Sequence, residues 1–237
     1  MAHPVDQYLS DDYLKSNPTW DMEDTPWKAG LVVSILQKNK IIPASICEVG
    51  CGSGGCLAEL YKYFPNARLV GFDISPAVKK FWKSYNDLGI EFFNTDFLEL
   101  ANDSIYEIVM LLDVIEHLAD PHTFLNRIRR RGKYYVFHIP LDLSASSVFR
   151  EAPLLYVRKK VGHIHYFTKS LALSLLEESG YEVMDTQFSN ATFTAPVKSM
   201  KTLFIRPFRW VVSLLLGREK AALLVGGETL IVLARAN

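Results

Sequence analysis

Apolar positions along the middle of the chain switch repeatedly between two periods. Short apolar runs at 45–50 (SICEVG), 68–73 (RLVGFD), 90–93, 106–112 (YEIVMLL) and 134–139 alternate with segments whose apolar side chains recur every three or four residues. The runs predict strands and the three-to-four spacing predicts helices. Their alternation predicts an α/β domain with a mostly parallel sheet. YEIVMLL is almost continuously apolar, as a strand covered on both faces requires. Start signals mark several helices: Thr25-Pro26 before Trp27, Leu31, Ile35 and Leu36; Ser75-Pro76 before Val78, Phe81, Trp82 and Tyr85; Asp120-Pro121 before Phe124, Leu125 and Ile128. A side-chain oxygen at such a position accepts an otherwise orphaned amide, and proline at the first helical position lacks one. Leu57, Leu60, Tyr61 and Phe64 give another helix one apolar face, and Thr168 caps a helix ending near Gly180. Tyr181–Phe188 and Glu228–Ala234 are predicted as the last strands.

Composition narrows the class. The 237 residues are 49% hydrophobic, enough to fill one sizeable domain. Lys+Arg and Asp+Glu both number 26, which argues against a general nucleic-acid binder, since that needs a basic surface. Arg129, Arg130 and Arg131 close a predicted helix, where they complement its dipole. Cys47, Cys51 and Cys56 match no zinc spacing, so free thiols in a reducing compartment are expected and no metal site. MAHPVDQYLSDDY has neither the basic start nor the apolar core of a signal peptide, and no run approaches the roughly 18 apolar residues of a spanning helix. A cytoplasmic location is expected.

The sharpest local feature is Glu48-Val49-Gly50-Cys51-Gly52-Ser53-Gly54-Gly55, which joins the first strand to a helix. Glycines there let the chain turn tightly and let a ligand lie against the backbone. Gly50, Gly52 and Gly55 also fit the dinucleotide pattern G-x-G-x-x-G, and Asp73, ending the second strand, suits the ribose of NAD or of S-adenosylmethionine (SAM). Glu48 separates the two readings. A carboxylate beside a pyrophosphate repels it, whereas the cationic aminoacyl group of SAM favours an acid. Asp96 follows the third strand, where it can accept from an adenine amine, and the fourth strand runs into Asp113-Val114-Ile115-Glu116-His117-Leu118.

ICEVGCGSGG, LVGFDIS, NTDF and LLDVIEHLADP stand in the order and at the spacings of class I SAM-dependent methyltransferases, and the chain resembles that family over about 45–190. It is most similar to the small-molecule group that includes the ubiquinone-biosynthesis enzymes. The later GHIHYFT, Gly162 to Thr168, resembles a segment of some bacterial members. The resemblance implies a Rossmann-like α/β fold with a seven-stranded, mostly parallel sheet, an antiparallel last strand at 228–234 inserted beside the last parallel one, and helices on both faces. It implies one methyltransferase domain over 1–237, with 1–40 as an N-terminal cap and 141–167 and 191–225 as insertions forming an acceptor lid. The implied cofactor is SAM, leaving as S-adenosylhomocysteine. Glu48, Gly50, Cys51 and Gly52 would line its methionine portion, Asp73 would hold the ribose, and Ile74 would pack on adenine. Asp96 would meet the adenine amine beside Phe97, and Leu112 would offer a carbonyl to the ammonium. Trp20 and Trp27 either cover the cofactor or simply pack. Asp73 and Asp96 also read as plain caps of the segments that follow them, and Asp113 is open between cap and ligand.

Methyl transfer is a direct displacement at carbon, so the protein chiefly aligns the acceptor, excludes water and removes a proton. Candidate acceptor-facing groups are His117 after strand four, His138 and Asp142 around the end of strand five, and His163 and His165, which extended geometry would point the same way. His163 is the favoured base. The expected acceptor is a small or lipid-like molecule methylated on oxygen, with nitrogen next. The segment 203–216, LFIRPFRWVVSLLL, reads as lid or core, or else as a weak membrane-surface contact, and Pro207 argues against one unbroken helix. Two alternatives remain: an NAD-dependent oxidoreductase, which leaves Glu48 and Asp96 without roles, and a non-catalytic SAM- or nucleotide-binding protein.

Overall fold

The alternating pattern folds into a single seven-stranded sheet. The computed structural model describes residues 6–10, 12–99, 105–189, 191–195 and 200–236. Two short turns, α1 (Asp6–Leu9) and α2 (Asp12–Ser16), precede α3 (Thr25–Lys38), β1 (Ser45–Val49), α4 (Gly55–Tyr61) and β2 (Arg68–Phe72). Then come α5 (Lys79–Trp82), β3 (Glu91–Phe93), β4 (Tyr106–Leu112), α6 (Pro121–Ile128) and β5 (Gly132–Pro140). The remainder is α7 (Ala145–Arg150), α8 (Ala152–Lys160), α9 (Lys169–Glu178), β6 (Tyr181–Phe188), α10 (Ala191–Thr194), α11 (Met200–Leu216), α12 (Arg218–Val225) and β7 (Thr229–Ala236).

The strand order is β3-β2-β1-β4-β5-β7-β6. The pairs from β3 through β5 are parallel, and β7 lies antiparallel between β5 and β6. The order therefore reverses between β1 and β4, and a crevice opens beyond the carboxyl ends of strands at such a point. Alternate residues of the central strands feed two cores. Val49, Val109 and Leu111 pack toward α6 and α9 through Leu125, Ile128, Ala172 and Leu176. Ile46, Ile108 and Met110 pack toward α3 and α4 through Val32, Ile35, Leu36, Leu57 and Leu60. Each such aliphatic side chain contributes about 1.5–3 kcal/mol by leaving water. This burial on both faces explains why YEIVMLL shows no polar alternation.

Asp120 and Thr168 cap their helices as expected, accepting from the amides of Thr123 (3.0 Å) and Leu171 (3.3 Å). Ser75 also caps, accepting from the Ala77 amide (3.4 Å), and Leu57 and Leu60 are buried on α4; other expectations shift. A 3₁₀ turn, Met22–Asp24, runs straight into α3, so Asp24 occupies the cap position with helical angles and makes no side-chain cap, while the Thr25 hydroxyl donates to the Met22 carbonyl (2.7 Å). The segment after Ser75 is broken into 3₁₀, α and 3₁₀ turns, although Val78 and Trp82 of its stripe are buried. Against expectation, α11 passes unbroken through Pro207. The proline removes its own amide bond and crowds the carbonyl one turn earlier, and its flanks are held as Arg206 and Arg209 donate to the carbonyls of Ala195 and Val225. Among the described residues no helix is long and apolar enough to cross a membrane.

Candidate active site

The glycine loop after β1 is shaped by two backbone demands. Gly50 and Gly52 adopt φ of +73° and +51°, and a Cβ at either would meet Val114 or Trp20 at 2.8 and 2.6 Å. The absence of a Cβ therefore lets the Val114 and Trp20 side chains pack directly on the loop backbone. The amides of Gly50 and Cys51 donate to the Phe72 carbonyl at 2.8 and 3.0 Å, tying the loop to β2. Asp73, next in chain, accepts from the amides of Gly52 and Ser75, both at 2.8 Å. Burial pushes its carboxyl up, opposed by those two amides. Asp96 accepts from the Leu98 amide at 2.8 Å. Both acids thus hold local turns and still face the cavity, because a carboxylate has lone pairs for more than one donor.

Glu48 is buried at the end of β1, and its Oε2 has no hydrogen-bond partner. Burial pushes its carboxyl up to about 8, with Lys28 opposing and Asp73 adding to the rise. The thiols of Cys47, Cys51 and Cys56 are free and buried, and burial raises all three, so they are poor nucleophiles. Glu48, Gly50, Cys51, Gly52, Asp73, Ile74, Asp96, Phe97 and Leu112 all line one cavity of about 710 Å³, which Trp20 and Trp27 also border.

The same cavity continues past the ends of β4 and β5. Asp113, at φ +57°, contacts Lys28 Nζ and His138 Nδ1, each at 2.6 Å. Burial works to neutralise the Asp113 carboxyl, but His138 and Lys28 outweigh it and hold it well below the usual carboxylate range. His138 Nε2 lies 2.7 Å from the Thr229 hydroxyl, so both its ring nitrogens are engaged. That engagement makes it a fixed element of the wall and a weaker choice as base.

Across the cavity, His163 Nδ1 lies 2.6 Å from Asp142 Oδ2, and its Nε2 is 3.9 Å from Glu116 Oε1. Glu116 is fully buried with neither oxygen in a hydrogen bond; burial, then Asp113, raises its carboxyl well above the usual carboxylate range. His117 Nδ1 contacts the Tyr8 hydroxyl (2.9 Å) and the Gly162 carbonyl (3.1 Å). Burial, then His163, lowers it to about 4, so it is neutral near pH 7. Glu116, His117 and His163 each offer a ligand atom within 4.8 Å of the others, the grouping a cation would use.

His165 does not line this cavity. The amides of Ile164 and His165 both donate to the Glu116 carbonyl, so the segment lacks the regular alternation that would point His163 and His165 alike. Instead His165 Nε2 contacts the Leu118 carbonyl at 2.8 Å. The cavity also gathers residues that the sequence did not single out for it: Tyr8, Tyr13, Lys28, Glu228 and Thr229. A lysine inside the apolar stretch of α3 was the one available signal.

Residues 29–186 match the model of the family described as "Methyltransferase domain". A ubiquinone biosynthesis O-methyltransferase of Rickettsia typhi is 32% identical over 91 residues, 38% of this chain and 37% of that one. The human tRNA N(3)-cytidine methyltransferase METTL6 is 26% identical over 164 residues, 61% of this chain and 57% of its own length. The chain thus spans little more than a third of the former and over half of the latter. Among solved structures, the plantazolicin methyltransferase BpumL with S-adenosylhomocysteine matches at TM-score 0.64 and 18% identity, covering 99% of this chain and 93% of that one.

The residues present fit SAM: Glu48 brings a buried carboxyl with an unpartnered Oε2 to the cavity wall, the donor set a cationic aminoacyl group calls for. They fit NAD poorly, since its pyrophosphate would lie against Glu48. With its seven-stranded sheet and this cofactor pocket, the chain belongs to the methyltransferase-domain family and has the class I SAM-dependent methyltransferase fold.

Proposed function

We propose that the protein transfers a methyl group from SAM to an oxygen of a small, largely apolar or lipid-like acceptor, with His163 as general base. The observation that carries this reading is the His163–Asp142 pair, set in the same cavity as the cofactor residues. SAM, when bound, supplies an electrophilic methyl on a sulfonium. Glu48 offers its carboxyl to the aminoacyl ammonium, Asp73 to the ribose hydroxyls and Asp96 to the adenine amine, while the Leu112 carbonyl accepts from the ammonium. Asp142 accepts the Nδ1 proton of His163, which leaves the Nε2 lone pair to take the acceptor proton as the oxygen attacks. His117, lowered to about 4, is too weak a base to compete for that proton.

The segments 141–167 and 191–225 act as the acceptor lid in this reading. Asp142, Val161 and His163 from the first, and Ala195, Arg206 and Arg209 from the second, border the cavity and exclude water from it. Residues 1–40 cap the cofactor half through Tyr13, Trp20 and Lys28. Names among similar proteins, a ubiquinone O-methyltransferase and a mitomycin 7-O-methyltransferase, support oxygen as the acceptor atom, and the balanced charge of the chain favours a small molecule over RNA.

The test is incubation with methyl-labelled SAM against separated lipid, small-metabolite, RNA and protein fractions of a cell lysate. Label in the lipid or metabolite fraction is expected. Label mainly in RNA or protein overturns the acceptor class. Tight SAM binding with no label anywhere makes the protein a non-catalytic binder.

A further inference from the structure

Helix α11 is built inside out. Its inward positions include Arg206 and Arg209, which border the cavity. Phe208, Val211, Leu214 and Leu215, spaced three or four residues apart, face solvent instead, with Leu214 69% and Leu215 74% exposed. Trp210 and Leu216 extend this surface. Around an ordinary core the arrangement is reversed, with the apolar stripe inward and charge outward. The helices packed beside it carry more exposed apolar side chains. α12 packs on both α11 and α7, and α7 on α8; they add Leu223, Leu224, Val148, Leu155, Tyr156 and Phe149, the last 91% exposed. Exposed apolar side chains gathered on adjoining helices point to an interaction surface.

The charge around it is one-sided. Arg150, Arg158, Lys159 and Lys160 on α7 and α8, and Arg218 and Lys220 on α12, are all exposed, in a chain whose total charge is zero. The acids in the same stretch are Glu151 and Glu219, and Glu219 is already paired with Lys169 at 2.7 Å.

We propose that this face seats on an anionic lipid surface. α11 lies in the plane of the bilayer surface, its hydrocarbon side chains enter the acyl boundary, and the cationic rim meets lipid phosphates. Trp210 and Tyr156 suit the headgroup level, where amphipathic rings collect. A second copy of the chain fits less well: a two-fold contact places the same patch against itself and brings two cationic rims together. Because α11 forms both this face and a cavity wall, a lipid-like acceptor has a short path from the surface to the site. The proposal stands on the patch itself and does not depend on the acceptor.

Flotation of the full chain with vesicles tests it, using phosphatidylcholine alone and phosphatidylcholine mixed with phosphatidylglycerol. The protein is expected to float with the mixed vesicles, to be released by rising salt, and to lose at least about tenfold in binding when Leu214→Glu and Leu215→Glu are combined. Lys159→Ala and Lys160→Ala should each weaken binding about fivefold. Unchanged SAM binding by calorimetry shows that the variants are folded. Failure to float with either vesicle, or flotation indifferent to phosphatidylglycerol and salt, overturns the proposal. So does a wild-type dimer in light scattering that the double leucine variant dissolves, since a second copy would then cover the face.

Discussion

Asp142 Oδ2 lies 2.6 Å from His163 Nδ1, which leaves Nε2, 3.9 Å from Glu116, as the ring nitrogen available to an acceptor. Removing the imidazole should cost at least about tenfold in turnover at neutral pH, and up to the 10²–10⁴-fold typical of general-base catalysis. Asp142→Asn should also lower kcat, because it no longer favours the tautomer with a free Nε2. Single-turnover rates measured alongside SAM affinity check both variants, and the affinity should be nearly unchanged. A chelator should leave wild-type turnover intact. Full activity in His163→Ala excludes it as the base, and loss of activity on chelation would make His163 a metal ligand with Glu116 and His117.

Asp73 is expected to bind the ribose hydroxyls while holding the Gly52 and Ser75 amides. Asp73→Ala should weaken SAM binding by about 1.5–3 kcal/mol, the usual loss for a charged hydrogen-bond partner. Calorimetry on a variant with a native-like circular dichroism spectrum measures it. Wild-type affinity there rejects the ribose assignment.

That Glu48, Gly50, Gly52, Asp73 and Asp96 meet in one cavity was largely legible in the sequence, since all stand where strands end, and strand ends follow from local apolar runs. The acceptor half was less so. It is assembled from α3, the ends of β4 and β5, and the segment around His163, whose mutual approach no local pattern encodes. His163 and His165 illustrate the limit, since two amides converging on the Glu116 carbonyl break the alternation expected of an extended strand. The helices α7 and α8 lie in the segment 141–167, which was expected only as an insertion, without helices of its own. Their start signal is a Ser144–Ser147 capping box without the usual acid, and a left-handed Glu151 at φ +55° breaks the periodicity between them. Pro207 misled because the rule against internal proline weighs one lost bond without the contacts that hold the flanks.

The Glu48 carboxyl, raised to about 8, ties cofactor affinity to pH. A cationic aminoacyl group favours the ionised form, so binding lowers the carboxyl pKa and releases a proton. Affinity should therefore be greatest near pH 8 and fall as pH drops below it, by up to about tenfold per unit. Measurements are best made below about pH 7, where a free α-amino group, half deprotonated only near about 7.7, keeps most of its proton. Calorimetry in buffers of different ionisation heats should show proton release, and Glu48→Gln should weaken binding and flatten the profile. A pH-independent wild-type affinity over that range would falsify the assignment of Glu48 to the ammonium.

Lys28, Asp113 and His138 form one electrostatic unit, with both contacts to Asp113 at 2.6 Å. Replacing Asp113 with Asn keeps a hydrogen-bonding side chain but leaves the Lys28 ammonium facing the cavity without its counterion. Breaking a buried ion pair by removing one partner costs about 3–5 kcal/mol. The Lys28 and Asp113 side chains retain 18% and 25% exposure, so the low end of that range, about 3 kcal/mol, is expected for Asp113→Asn in urea unfolding. Replacing both partners, Lys28→Met with Asp113→Asn, should recover much of the loss, since no unpaired charge then remains. The pair also has a signature in cofactor binding. Lys28 lowers the Glu48 carboxyl, so Lys28→Met should shift the pH profile of SAM affinity upward while Asp113→Asn, which keeps the ammonium, should not. Equal stability losses in the single and double variants, or identical pH profiles in both single variants, would mean that the contact holds the wall in place without acting on the cofactor half.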